Sequence, residues 1–485
     1  MKTLLTWATV VATLVTTTAL SSESSNVDRV LRAGAFAIDI TPTKLPVPVS
    51  GGILPRFVSD IYDPLHARCL VLDDGQAQIA IAIVDSLLLS REQADKAKEL
   101  TRQATGIPSG RILIAATHTH SAPAVMAAHA TDPDEDYAEF MVAQIAKGIA
   151  AAQKNLRPAR IGWAMGQDDK NVFCRRYLMK PGTAATNPFG GTENDQAQMN
   201  PGHNNPNKIR RTGPVDTDVA VLSIQTRDGQ PLALLSNYST HYVGAPPISA
   251  DYFAVFCDRI ADMIGANDVS PPFVAMLSNG TSGDANCIDF ERSERRQFDR
   301  FTVGEDVARA AFEAYQTIQY YDWVPLVVEE RLLTLGVRMP SEAEVAEAKA
   351  VVAELPEGRP RNIIESYARE TVLLSQMPSS HELKLQAIRI GQLGITALPV
   401  EAFGSTGLEI KQRSPLKPTF NISLANGYSG YAPPPDQHKL GGYTTWRART
   451  SMLEVQAEPK IVATTLELLE SVANQRADEQ LRASP

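Results

Sequence analysis

Residues 112–123 read Ile112-Leu-Ile-Ala-Ala-Thr-His118-Thr-His120-Ser-Ala-Pro123, an unbroken apolar run that stops at two histidines one residue apart. A short apolar run bounded by polar residues is a buried strand, and such strands belong to sheets covered on both faces. Side chains at i and i+2 of an extended segment share a face, so His118 and His120 can address one site beyond the strand's carboxyl end. The same two imidazoles could equally be hydrogen-bonded beneath a turn. More ligands must come from elsewhere in the chain if they are to hold a metal.

Working outward, residues 69–75 and 79–85 form a hairpin about Asp73-Asp-Gly75, the second strand apolar throughout. Residues 91–105 and about 136–154 have helical periodicity. Strands follow at 219–224 and 232–236, the latter running into Asn237-Tyr-Ser-Thr-His241, then a helix over 251–264. A strand at 273–277 opens into Ser278-Asn-Gly-Thr-Ser-Gly283-Asp284-Ala-Asn286, and a strand over 383–398 ends at Pro399-Val-Glu401. Helices are expected at 296–316, after the capping box Ser341-Glu-Ala-Glu344, at 360–376 and at 459–475. This alternation predicts the α/β class: one large domain with a mixed β core, flanking helices and active-site loops at strand ends. Residues 166–216, rich in Asn, Pro, Gly and Thr, are too long for a plain connection. Because they contain Phe173-Cys-Arg175-Arg176-Tyr177, they are expected to cover the site.

Charged residues at 21% and hydrophobic ones at 44% fit an ordinary globular protein, and a net charge of -9 with no basic run argues against nucleic acid as a partner. The leader over 1–21 has one lysine, an apolar run and small residues near Ser21, the pattern of a secretory signal, so residues 22–485 are expected in the periplasm or outside the cell. That run is short for a transmembrane span and no later stretch is long enough. Cys69, Cys174, Cys257 and Cys287 have no paired spacing and are expected as buried free thiols, not as a thiolate metal site.

His118, His120 and His241 follow apolar strands directly, as does Glu401. These are nitrogen and oxygen donors suited to Zn2+ with a position left for water. Glu401 could instead be a carboxylate at a helix N-terminus.

The stretch Ala116-Thr-His118-Thr-His120-Ser-Ala-Pro123 resembles a signature of the neutral/alkaline, non-lysosomal ceramidase family. Asp39-Ile-Thr-Pro42, Asp63-Pro-Leu65, Asn237-Tyr-Ser-Thr-His241, Ser249-Ala-Asp251-Tyr252, Leu398-Pro-Val-Glu401 and Tyr428-Ser-Gly-Tyr431 agree in the same order. The resemblance implies a zinc amidase that cleaves the N-acyl bond of ceramide. By position it implies His118, His241, Glu401 and Tyr431 as metal ligands, His120 as proton shuttle, and Arg175 and Tyr443 around the substrate carbonyl, with Arg176 an alternative to Arg175. The sequence departs from the family pattern at Asn286, which stands where the family has serine and could hydrogen-bond the substrate instead, and at Ala122. About 40 residues follow Tyr443, so the family's immunoglobulin-like C-terminal domain is not expected here.

The expected function is therefore zinc-dependent hydrolysis of ceramide or a ceramide-like lipid, a substrate that leaves room for contact with a membrane surface. The alternatives are a zinc enzyme for another N-acyl, ester or polysaccharide substrate, or a zinc-stabilised binding protein without turnover. Oligomeric state is left open.

Overall fold

The computed structural model describes residues 29–191 and 195–475, so the leader over 1–21 lies outside the described residues. Two sheets dominate. The larger runs, in spatial order, Val274–Asn279, Pro231–Tyr238, Asp218–Thr226, Arg157–Gln167, Arg32–Asp39, His66–Asp73, Gln78–Val84 and Ile112–Ala116, with Gln319–Tyr321 added against Arg157–Gln167. The smaller runs Leu326–Gly336, Ser380–Ile390, Leu393–Leu398 and Thr419–Ser423. Both mix antiparallel hairpins with parallel pairs: Gln78–Val84 beside Ile112–Ala116, Pro231–Tyr238 beside Val274–Asn279, and Leu393–Leu398 beside Thr419–Ser423.

The apolar runs are explained by what lies on each side of a strand. In Gln78–Val84, Ile79, Ile81 and Ile83 point into a core that also holds Ile388, Ile395, Phe420 and Ile422 of the smaller sheet. Ala80, Ala82 and Val84 face the opposite way, onto Met141, Ile145 and Ile149 of the helix Glu135–Lys154. A strand buried on both faces has no polar side to alternate with. The outer face of the smaller sheet is covered by Ile461, Leu468 and Leu469 of Ala457–Asn474, and helices Asp251–Met263 and Arg300–Tyr315 cover the 219–277 strands. The result is four layers, helix on sheet on sheet on helix.

Helix boundaries follow the local signals. Ser90 and Ser341 each close a full capping box, at Arg91–Thr105 and Glu342–Ala353, and Gly106 ends the first of these helices in the left-handed conformation. One expected element is corrected: the strand over 383–398 is a hairpin of Ser380–Ile390 and Leu393–Leu398, turning at Gly391 with φ of 61°. Both arms are buried, so no change of hydrophobic period marks the turn. Residues 166–216 are also more ordered than a covering loop. Arg176–Met179 pairs with Ala197–Met199 and Lys208–Arg211, while Phe173–Cys174 pairs with Ala285–Asn286. All four cysteines are buried and unbonded.

Candidate metal centre

The site sits beyond the carboxyl ends of strands from both sheets. Ile112–Ala116 leads to His118 and His120, Pro231–Tyr238 to His241, Leu393–Leu398 to Glu401, and Thr419–Ser423 to Tyr428 and Tyr431. The sheets are stitched together at this end. Ala116 N donates to Leu424 O (3.1 Å), Asn426 N to Ile114 O (2.7 Å) and Ile114 N to Asn426 Oδ1 (3.2 Å). Glu401 and Tyr431 then lie side by side as partners in a short parallel pair.

The two histidines of the opening stretch do converge, but not because the segment is extended. The strand ends at Ala116 and His118 takes φ of 73°, a left-handed conformation costly for a residue with a Cβ. That turn, held by His118 N on Ser86 O at 2.9 Å, swings the rings nearly perpendicular with centroids 4.8 Å apart. Non-glycine strain of this kind persists where the surroundings enforce it.

Each imidazole is oriented from behind. Nδ1 of His118 donates to Leu87 O (2.9 Å), that of His120 to Gly51 O (2.9 Å) and that of His241 to Ser282 O (3.2 Å). A carbonyl only accepts, so the proton sits on Nδ1 and Nε2 is left to face the centre. The Nε2 of His118 is 3.1 Å from that of His241 and 3.4 Å from that of His120, with Glu401 Oε2 at 3.5 Å. Burial, and then neighbouring positive charge, holds His120 and His241 well below the ordinary imidazole range, so their Nε2 atoms carry bare lone pairs. The donor set His118, His120 and His241 can hold a metal ion. Glu401 adds a second signal: Tyr428 donates to Oε1 at 2.9 Å, while Oε2 is buried without a hydrogen-bond partner. Burial pushes this carboxyl up, but His118, Tyr431 and Arg175 outweigh it and the net shift is downward.

Of the two adjacent arginines, Arg175 faces the centre. Its Nη2 donates to Gly283 O (3.0 Å) and Tyr431 Oη (3.2 Å). Arg176, the alternative, is fully buried and braces the 437–444 segment through Gln437 O, Gly441 O and Thr444 Oγ1. Tyr443 stands with its ring 5.8 Å from that of Tyr431. The side chain of Asn286 is committed elsewhere, Nδ2 donating to Asn200 and Oδ1 accepting from Ile288 N, each at 3.0 Å.

A pocket of about 360 Å³, open mouth included, is lined by His118, His120, Glu401, Tyr428, Tyr431 and Tyr443. It also contains His129, which the sequence reading passed over because no strand precedes it. Tyr428 was equally missed as a contact of Glu401, although the motif Tyr428-Ser-Gly-Tyr431 carries it three residues from a proposed ligand.

No protein-family model and no curated protein matches the chain. Among solved structures, it is similar to neutral ceramidase from Pseudomonas aeruginosa, at 17% identity over 92% of this chain and 75% of that one, with a TM-score of 0.67. A ceramidase complexed with C2 gives 16% identity, 92% and 76% coverage and a TM-score of 0.68. The fold is that of neutral ceramidase.

Proposed function

From a chain with the neutral ceramidase fold and three convergent imidazoles, we propose a zinc-dependent amidase that hydrolyses the N-acyl bond of ceramide or a ceramide-like lipid. The observation that carries this reading is the cluster of mutually facing Nε2 atoms beside the unpartnered Glu401 oxygen. Donors about 2.0–2.1 Å from a shared zinc ion stand roughly 3–3.5 Å from one another. Around His118 Nε2, the His241 Nε2 at 3.1 Å and the Glu401 Oε2 at 3.5 Å are near that scale, while His241 Nε2 and Glu401 Oε2 stand 4.0 Å apart.

His118, His241 and Glu401 hold the ion in this proposal, with Tyr431 as the fourth ligand, its phenol kept next to the Arg175 guanidinium. Zinc held by these residues would supply Lewis acidity to the reacting water and carbonyl. His120, the partly buried imidazole stacked on Tyr242 at 3.6 Å, moves the proton between water and leaving amine. Arg175 and Tyr443 donate to the developing oxyanion. The catalytic unit is the whole α/β domain, exported by the leader over 1–21. Among the described residues no helix is long and apolar enough to cross a membrane. With Asn286 bonded to Asn200, a side-chain nucleophile at that position has no part in the scheme.

The test has two arms. Metal analysis of the purified protein is expected to find one zinc per chain, lost in His118→Ala and His241→Ala but kept in His120→Ala, which is inactive. A short-chain fluorogenic ceramide is expected to turn over faster than N-acetyl sugars or simple esters. Zinc without ceramide turnover moves the substrate to another N-acyl or ester class, and absence of zinc ends the proposal. Loss of zinc from His120→Ala makes His120 a ligand instead of a shuttle.

A further inference from the structure

We infer that His129 is a positioning residue: it donates from Nε2 to the Tyr443 phenol oxygen and so turns the Tyr443 O–H into the pocket as an oxyanion donor. The inference rests on the hydrolase reading above, and it concerns a residue outside the metal cluster.

His129 sits at the tip of a tight turn closed by Ala128 N on Thr131 O and Thr131 N on Ala128 O, and it takes φ of 50°. The strained tip is held in place. Arg369 Nη1 donates to His129 O at 3.3 Å, and the Tyr367 ring packs 5.6 Å from the imidazole. The side chain is buried. Nε2 lies 3.2 Å from Tyr443 Oη and 3.5 Å from Thr450 Oγ1, whereas Nδ1 is buried with no partner.

That asymmetry selects the tautomer. A proton on Nδ1 would leave a buried N–H unpaired, and orphaned donors are rarer in proteins than under-used acceptors. A proton on Nε2 leaves only a lone pair bare at Nδ1 and gives the imidazole a donor aimed at Tyr443. Burial also keeps the ring neutral, below the ordinary imidazole range, so one nitrogen donates and the other does not. With its oxygen already accepting from His129, the Tyr443 hydroxyl is free to turn its hydrogen away, toward Glu401, Tyr431 and the space a substrate carbonyl would enter.

Two measurements test this. Long-range 15N–1H spectra of the metal-loaded protein, with the His129 signals assigned by their loss in His129→Gln, are expected to give the Nε2–H tautomer. An Nδ1–H tautomer overturns the inference whether or not any substrate is found, which separates its failure from that of the hydrolase reading. On the amide substrate, His129→Leu is expected to lower kcat about 10- to 100-fold with KM and zinc content unchanged, short of the roughly 100- to 1000-fold for removing the donor itself in Tyr443→Phe. Gln, whose amide also donates, recovers most of the loss. The double variant His129→Leu, Tyr443→Phe is expected to be no slower than Tyr443→Phe alone. Additive losses, or no recovery by Gln, overturn it.

Discussion

Asp284 is buried, its Oδ1 accepting from Gly404 N at 2.8 Å and its Oδ2 without a hydrogen-bond partner. Burial pushes its carboxyl up to about 6, against the opposing pull of Gly404 N–H, Arg175 and Arg176. A group whose folded value is raised holds its proton more tightly in the folded state, so the protein gains stability as pH falls from about 6 toward 4 and bears the whole cost of ionisation above 6. Two units correspond to about 3 kcal/mol. Asp284→Asn keeps the acceptor for Gly404 and removes the charge, so it is expected to stabilise the chain by about 2–3 kcal/mol at pH 8 and by little at pH 4, read from urea unfolding at each pH. A gain of equal size at both ends of the range would place the effect outside ionisation. At this scale the sequence was informative where a residue type implies a chemistry: His118, His120, His241 and Glu401 were singled out, and they come together. It was uninformative where a role depends on the partner, as with Tyr428, His129 and Asp284. Extended i, i+2 geometry predicts the convergence of His118 and His120 but not its route, because backbone strain at His118 leaves no mark in composition.

Strand ends carry the site, and glycine sets how closely they approach. A Cβ on Gly283 would meet Glu401 O at 2.7 Å and Ala402 O at 2.9 Å, both backbone atoms that cannot swing aside. Gly283→Ala is therefore expected to push the 282–284 loop off the 401–402 strand, taking Ser282 O away from His241. The measurable result is at least tenfold weaker zinc binding, the scale found when a partner behind a metal ligand is lost. Unchanged affinity would mean that the loops are independent. Long elements such as Arg91–Thr105 and Glu135–Lys154 were legible from periodicity and caps, as was the hairpin of His66–Asp73 and Gln78–Val84. The Leu393–Leu398 hairpin was not, because both arms are buried and Gly391 alone marks the turn. Nor were the short pairs at Phe173–Cys174 and Ala285–Asn286, whose two-residue length is set by tertiary contact and not by local preference.

Over the whole molecule, two sheets share one apolar core, and the proposed ligands divide between their ends: the histidines follow strands of the larger, while Glu401 and Tyr431 form the short pair beyond strands of the smaller. Metal binding should therefore act on the docking of the sheets as well as on the loops. Zinc at a thousandfold excess over its Kd is expected to add about 4 kcal/mol to stability, and a chelator to remove it, both seen as a change in Tm. In Glu401→Gln the chelator should change Tm far less. A chelator-insensitive Tm in the parent protein would show that the ion does not bridge the sheets. The α/β class was legible because strand and helix alternate along the chain, but the division into two stacked sheets and the order of strands were not, since hydrophobic runs do not name their neighbours. The stitching of 424–426 onto Ile114 and Ala116 has a temporal consequence as well. Residues from early and late in the sequence must be registered against each other before His118 can face Glu401, so a nascent or misassembled chain has no complete ligand set. Under the proposed function, activity would then appear only on completed folding.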